Sequence, residues 1–490
     1  MSKQRSNSQK IFKGISSQTL VTISLGLVEV IAFSFMSRLL TKEDFGYFAA
    51  ISAVYAVFSS ISTAGIGASI VQCKDLTPKY INNAFTLSLI FGGGSALILF
   101  LSSGFLAKAV IDERMTVPLM AMSITLLLHS VSSVNINQMI RRLEFLKIGA
   151  INLTTLIVSS SLCIFLAWKG FGYYSIVIKV VFQSFLSLAL TTYFAKARYR
   201  IDFDKQMAKR IFGFSGWLMA SAIFRDIAHQ IDKLLMGRLL SVQALGAYNR
   251  PKDFMLNITS RLNGIFDSAL FPVLSSIQDD LTKLGRAYKN SLFIMNAFSV
   301  ALALAFIVNS ELFIRIFLGE KWMSLKTITQ ILAIATLFNI NGRLADCYLR
   351  SLGLTKIQFF FRIAETISNI LAVTIGSRWD VLGVAIGFVT ANTIMKVFKI
   401  LFIAHKLEIS FVDGLLLMLS SWRYTLVILP ICAIPYFLTP STWLGNIITA
   451  VVFVLTCLVV FLRFPSLVGE RYEKEIHGKM MDAIRKKFGR

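Results

Sequence analysis

Nine consecutive residues in the second half of the chain carry five ionisable side chains: Arg225, Asp226, His229, Asp232 and Lys233. The stretch around them, 211–237, is otherwise apolar and long enough to cross a bilayer. On a helix turning 100° per residue the five fall within an arc of about 120°. An ionised group facing lipid costs ~2.5–3.5 kcal/mol even on the lenient insertion scale, so this face should point at water or at protein. Two arrangements satisfy that demand. Either the groups line a cavity, or they pair internally, as His229 with Asp232, and lock the helix to its neighbours. Further on, 246–275 holds Arg250, Lys252, Asp253, Arg261 and Asp267, and later apolar stretches hold Arg343, Asp346, Glu365 and Lys396. Apart from Lys108 at the end of 81–110 and the lone His129, the apolar stretches of the first half offer only Glu29 and Lys179.

The elements that position these groups follow from composition. With 55% hydrophobic and 16% charged residues in 490 and a mean hydropathy of +0.68, the chain has the bilayer as its solvent. No polar linker divides it, so it reads as one polytopic all-α unit and excludes a large soluble catalytic domain. Apolar runs at 15–36, 46–72, 81–110, 117–140, 148–168 and 173–195 make a first set of six spans. The first run, after Lys3, Arg5, Lys10 and Lys13, lacks a small-residue cleavage site and reads as a retained span. After a basic connection over 196–210, runs at 211–237, 246–275, 292–317, 328–349, 357–375 and 381–404 make a second six. Two more, 422–438 and 444–464, bring the expected total to about fourteen. The tail places Tyr472, Ile476, Met480, Ile484 and Phe488 four apart among Lys and Arg, which predicts an amphipathic helix on the cytoplasmic leaflet.

The formal charge of +24 would suggest nucleic acid in a soluble chain, but here the positive-inside rule accounts for it. With the amino terminus inside, the outer connections carry roughly a third as many Lys and Arg as the inner ones, which predicts both termini in the cytoplasm. Cys73, Cys163, Cys347, Cys432 and Cys457 are scattered with no CxxC spacing, and His129, His229, His405 and His477 are isolated. Neither a disulfide framework nor a metal site is expected. Gly65-x-Gly67 and Gly92-Gly93-Gly94 lack the context of a nucleotide loop, and helix packing or a kink explains both better. No cofactor is expected.

The halves repeat. An offset of 200 places Lys10-Ile11-Phe12 on Arg210-Ile211-Phe212, Arg38-Leu39-Leu40-Thr41 on Arg238-Leu239-Leu240-Ser241, and Gly46 on Gly246. Six is even, so both copies enter the membrane the same way, related by a pseudo-two-fold along the membrane normal. The expected organisation is a six-helix bundle over 1–200, a second over 201–408, two additional spans over 409–464, and a basic cytoplasmic tail over 465–490.

The run from Arg38 to Gly46, R-L-L-T-K-E-D-F-G, resembles the corner after the first helix of bacterial polysaccharide transporters. Gly65 to Gln72, Phe271 to Asp280, and Gly319-Glu320-Lys321-Trp322 are similar to stretches of Wzx-type lipid-linked oligosaccharide flippases, notably the colanic-acid exporter group. These belong to the multidrug/oligosaccharidyl-lipid/polysaccharide exporter superfamily. The resemblance runs from the first span to about the twelfth. It implies translocation of an oligosaccharide repeat unit on undecaprenyl pyrophosphate across the bacterial inner membrane, for O-antigen, capsule or exopolysaccharide, by alternating access around a cationic cavity. Bilayer lipids, a polysaccharide polymerase and a chain-length regulator are the partners it suggests.

Against that background Arg225 and Arg261, near the middle of their spans, are the first choices for an anionic head group, since a guanidinium offers paired donors to phosphate oxygens. Lys233, Arg343, Arg250 and Lys179 extend the cationic set, although Arg250, Lys252 and Lys179 lie nearer the outer end and are equally suited to snorkel. Glu29 and Glu365 are mid-depth acids with no in-helix partner, and Asp226 or Asp232 could hold a cation. His229 falls opposite Glu29 at the offset of 200. For each acid the alternative to ion coupling is a fixed salt bridge. Two other functions compete: a multidrug or small-cation antiporter of the same superfamily, and a membrane glycan polymerase or acyltransferase. For the latter, the outer connections are short and no nucleophile–base pair is recognisable. The topology has a direct check. Cysteines introduced into 196–210 should resist an impermeant thiol reagent applied to intact cells, and labelling there from outside would overturn the orientation.

Overall fold

The computed structural model describes residues 21, 24–73, 76–418, 448, 451–453 and 455–456, and these are helical apart from short turns and connections. The span expected at 422–438, nearly all of that at 444–464, the tail and the basic amino-terminal residues lie outside the described residues. Contacts divide the chain into two compact units, Met1–Ala247 and Tyr248–Arg490. Among the described residues eight segments have the length and hydropathy of a membrane crossing, the last of them, Lys356–Lys406, covering two helices. The protein is a multi-pass helical membrane protein.

In the first unit, α1 (24–39) leads into α2 (Lys42–Thr63), α3 (Ile66–Gln72), α4 (Pro78–Val110), α5 (Thr116–Arg141), α6 (Phe145–Trp168), α7 (Tyr174–Ala195) and α8 (Lys205–Leu239). The start of α2 is a capping box. Asp44 N–H donates to the Thr41 hydroxyl at 3.2 Å, and Thr41 N–H donates to the Asp44 carboxylate at 2.8 Å. The other Asp44 oxygen accepts from Tyr173 N–H at 2.8 Å, tying this corner to the α6–α7 turn. The run expected as one span over 46–72 is broken: Ala64 and Gly65 both take left-handed backbone, ending α2 and starting α3. Glycine carries that conformation without steric cost, which is why the break falls there. Gly67 and Gly92 instead allow close packing, with Asn137 and Ser130 of α5 where a Cβ would stand. Gly46 and Gly246 do the same for backbone: a Cβ on Gly46 would collide with the Val242 carbonyl, and one on Gly246 with that of Lys42. These residues are mutual counterparts at the offset of 200, so the first turn of α9 (Val242–Ser276) repeats the approach that α2 makes to it.

The connection before α8 is shorter than expected. It runs extended over α4, and its alternate N–H groups are taken by side chains of that helix: Arg200 by Asn82 at 3.2 Å, Asp202 by Thr86 at 3.0 Å and Asp204 by Asn83 at 2.7 Å. Tyr199 stacks on Phe85 with ring centroids 4.6 Å apart. Asp204 then caps α8, accepting from Gln206 N–H at 2.9 Å and Met207 N–H at 3.1 Å, so the helix begins at Lys205 inside the basic stretch. In this unit α8 packs on α2 and α4.

The second unit contains the rest of α9, then α10 (Leu281–Val308), α11 (Ser310–Phe313), a π turn, the Gly319 corner, α12 (Lys326–Ser351), α13 (Thr355–Gly376), α14 (Asp380–Lys406) and α15 (Phe411–Met418). Asp280 caps α10 through Lys283 N–H at 2.9 Å, which starts the helix before the apolar run at 292. Tyr288 donates to the Ile400 carbonyl at 2.8 Å and meets Tyr348 edge-on, while Asn341 donates to Asn296 at 3.2 Å. Trp322 of the Gly-Glu-Lys-Trp run is fully buried, a packing residue.

Outside the membrane, the Lys79 ammonium at 2.6 Å and the two capping N–H groups hold the Asp204 carboxyl below the usual carboxylate range. A depressed carboxyl contributes stability that is complete above the unfolded pKa of about 4 and lost as pH falls through the folded value. Compared at equal pH, Asp204→Ala should raise deuterium exchange of the Gln206 and Met207 amides several-fold near neutrality, with the difference vanishing in acid. Equal exchange of variant and wild type at pH 7 would show that the cap does not form.

Candidate functional site

One cluster of buried charge in the second unit converges on three helices. α12 presents Asp346, α13 presents Glu365, and α14 presents Lys396 and Lys399. Lys396 Nζ lies 2.8 Å from Glu365 Oε1; Lys399 Nζ lies 2.6 Å from the same oxygen and 3.0 Å from Asp346 Oδ1. The Lys399 side chain has no exposure at all, and its ammonium also faces the Phe361 ring at 5.8 Å. A Cβ at Gly342 would collide with the Lys396 stem, so this glycine clears the path by which the ammonium reaches Glu365. Two carboxylates and two ammoniums leave the cluster neutral. Such a cluster adds little net stability over an apolar one, but removing a single member strands a charge and costs ~3–5 kcal/mol.

A polar file continues along the same faces. Asn392, one turn before Lys396, donates to Asn369 of α13 at 2.9 Å. Thr336, Asn339, Arg343 and Asp346 follow one another along α12 at helical spacing; Thr336 and Asp346 are buried, and Arg343 is exposed. At the start of α9, Arg250 is buried and Asn249 donates to Asp253 at 2.6 Å.

In the first unit the charged arc of α8 divides. Asp226 accepts the Ser60 hydroxyl of α2 and lies 3.1 Å from Arg225 Nε, so these two form an ion pair anchored on the neighbouring helix. Asp232 is buried, Lys233 part-buried, and Arg225 and His229 are exposed, the Arg225 side chain to 50%. Glu29 on α1 and Lys179 on α7 are part-buried. The Arg261 side chain lies outside the described residues. The structure therefore unites Glu365 with Lys396, and Arg225 with Asp226.

Sequence reasoning missed two participants, Lys399 and Ser60. Lys399 had a signal, since it stands three residues after Lys396 and so on the same face. Ser60 had none, because a serine in a span is ordinary until its partner is known.

A family model for "Polysaccharide biosynthesis protein" matches residues 35–327. The chain is 24% identical over 386 residues to lipopolysaccharide biosynthesis protein WzxC of Escherichia coli strain K12, covering 78% of each chain. It is 22% identical over 349 residues to succinoglycan biosynthesis transport protein ExoT of Rhizobium meliloti strain 1021, covering 70% of this chain and 69% of that one. Among solved structures its fold is similar to lipid II flippase MurJ in an inward closed conformation, with a TM-score of 0.68 and 16% identity over 91% of this chain and 98% of that one.

The ion cluster has its own test. Lys399→Met strands the buried Asp346 carboxylate and should lower stability by about 3 kcal/mol or more, read as a drop in melting temperature of the detergent-purified protein. Adding Asp346→Asn should recover a substantial part of that loss. A double variant no more stable than the single one would show that the pair is not what Lys399 serves.

Proposed function

The chain belongs to the polysaccharide biosynthesis protein family, and from that premise we propose that it is a flippase for lipid-linked oligosaccharide repeat units in surface polysaccharide biosynthesis. It performs no covalent chemistry. Its work is to lower the cost of taking a charged, hydrated head group through the bilayer, with undecaprenyl pyrophosphate as carrier and alternating access as the motion. The site is the bacterial inner membrane with both termini cytoplasmic, where a polymerase and a chain-length regulator would receive the product.

The observation that carries this reading is the state of Arg225. Its Nε is engaged by Asp226, yet half of its side chain remains accessible, which leaves donor capacity on a guanidinium for the paired oxygens of a phosphate. Arg261, one helix further on, is the second cation assigned to the head group, with Lys233, Arg343, Arg250 and Lys179 adding to the field. A cation antiporter would require acids open to an incoming cation. Asp346 and Glu365 are instead each held by ammonium groups, which favours the anionic substrate. Glu29, His229 and Asp232 are then the groups through which a proton or sodium gradient would bias the cycle, and Asp226 contributes through its exchange of Ser60 and Arg225 contacts.

Charge-assisted hydrogen bonds are worth about 1.5–3 kcal/mol, so Arg225→Ala and Arg261→Ala should each slow translocation of a fluorescent undecaprenyl-pyrophosphate glycan in reconstituted vesicles by roughly 10- to 100-fold. Protein abundance should stay at the wild-type level, and Arg225→Lys should keep part of the rate. Variants that reach the vesicles intact and flip at the wild-type rate would refute the assignment. A wild-type protein that moves no lipid-linked glycan would refute the flippase reading itself.

A further inference from the structure

The connection from α7 to α8 presents a surface that the charged groups described above do not use. α7 has 22 residues, about 33 Å at 1.5 Å each, which matches the hydrocarbon thickness of a bilayer, so the chain reaches the head-group layer as it leaves Ala195. Tyr193, 76% exposed, and Phe194 mark that level as interfacial aromatics do. The strap that follows is pinned to the protein. The N–H groups of Arg200, Asp202 and Asp204 are taken by Asn82, Thr86 and Asn83 of α4, and Tyr199 stacks on Phe85 and accepts from Gln138 at 2.8 Å. Side chains alternate along an extended chain. One side of the strap carries Tyr199, Ile201 and Phe203, with Ile201 78% and Phe203 60% exposed; the other carries Arg198 and Arg200, both exposed.

The alternation makes the strap amphipathic in the plane of the leaflet. Two bulky apolar side chains exposed to that degree suit acyl chains, and guanidinium groups beside them offer paired donors to phosphate oxygens. Neither Arg198 nor Arg200 is in an ion pair among the described residues, so their donors are open. Lys205 and Lys209, exposed in the first turns of α8, extend the positive surface. Of the two acids in the strap, both half-buried, Asp204 is occupied by Lys79 at 2.6 Å and by the cap it gives α8. An acidic protein partner would satisfy the cations but would not explain two large apolar side chains beside the terminal aromatics of α7. A zwitterionic head group brings its own cation, so the basic side prefers one with net negative charge. We propose that the strap over 196–204 is a seat for anionic phospholipid, with Arg198 and Arg200 on the head-group phosphate and Ile201 and Phe203 among the acyl chains. A lipid held there fixes the level at which α8 enters the leaflet, because the strap ends in the cap of that helix. The seat does not depend on what the chain carries across the bilayer.

The full-length protein in nanodiscs of equimolar phosphatidylglycerol and phosphatidylcholine, with photoreactive benzoylphenylalanine in place of Phe203, tests the seat by mass spectrometry of the lipid adducts. Phosphatidylglycerol should exceed phosphatidylcholine in those adducts by about ten-fold or more, the scale of two basic residues at a charged surface. Arg198→Gln together with Arg200→Gln should bring the ratio close to one while adducts still form, and Arg198→Lys with Arg200→Lys should keep most of the preference. An equal ratio with the native arginines, a preference untouched by the double glutamine variant, or no lipid adduct at all would overturn the proposal. So would loss of the preference to inorganic phosphate equimolar with the lipid, which would mark a site for free anions. The expected ratio in a protein that flips no lipid-linked glycan would refute the flippase reading and leave the seat standing. Should the double glutamine variant not fold, the adduct ratio at position 203 with the native arginines decides the matter alone.

Discussion

The ammonium of Lys399 has no access to solvent, and an ammonium so placed is tolerable only if carboxylates come to it. That requirement sets the second unit. Asp346 must arrive on α12 and Glu365 on α13 at the level of Lys399 on α14, which fixes the register and rotation of three helices at once. Gly342 is the complement on α12: a Cβ there would force the Lys396 stem to shift from its path to Glu365. The hydrogen bonds between these helices, Asn341 to Asn296 and Asn392 to Asn369, are weaker constraints. In membranes such bonds average about 0.6 kcal/mol, against several for a stranded charge. Apolar packing offers little choice of rotation, because lipid is as apolar as leucine.

The parts legible in the sequence were those with one-dimensional signatures. Apolar runs located nearly every helix in the described residues, because a span of about 20 residues is demanded by bilayer thickness. The Arg38–Gly46 run, placed as a corner by its resemblance, is where the capping box of Thr41 and Asp44 stands. The ends of helices were less visible. α8 starts inside the basic stretch because Asp204 caps it, and α10 starts well before its apolar run because Asp280 does. Both caps sit in polar sequence, where hydropathy says nothing. The break at Ala64–Gly65 lies inside an apolar run, where hydropathy is equally silent about backbone conformation.

The charged groups were visible as a set but not as pairs. Asp226 and Arg225 are sequence neighbours, yet what anchors them is Ser60 on a different helix, 166 positions away from Asp226. Glu365 was the lone acid of its own span and is held by two ammonium groups, because both partners come from the following helix. An arc of charge on a helical wheel states which side avoids lipid. It does not say which members of the arc face water, and on α8 the answer differs from residue to residue, with Asp232 buried and Arg225 half exposed.

The two copies of the repeat solve the same packing problem with different chemistry. In the first unit α5 and α7 are joined by neutral groups, Ser132 with Thr191 at 3.1 Å and Asn135 with Thr192 at 3.1 Å. Their counterparts by order in the second unit, α12 and α14, are joined by Asp346 and Lys399 at 3.0 Å. Neutral hydroxyl and amide pairs hold helices without creating a field beyond their own dipoles. A buried cluster of full charges costs far more desolvation for the same mechanical service, so stability alone would have favoured the neutral solution in both copies. The costlier one persists in the unit that also places Lys252 over Phe388 and buries Arg250 at the head of α9. In a low-dielectric interior each of these cations is felt at longer range than it would be in water. The asymmetry is thus an electrostatic one between two corresponding helix pairs, neutral at α5–α7 and fully charged at α12–α14.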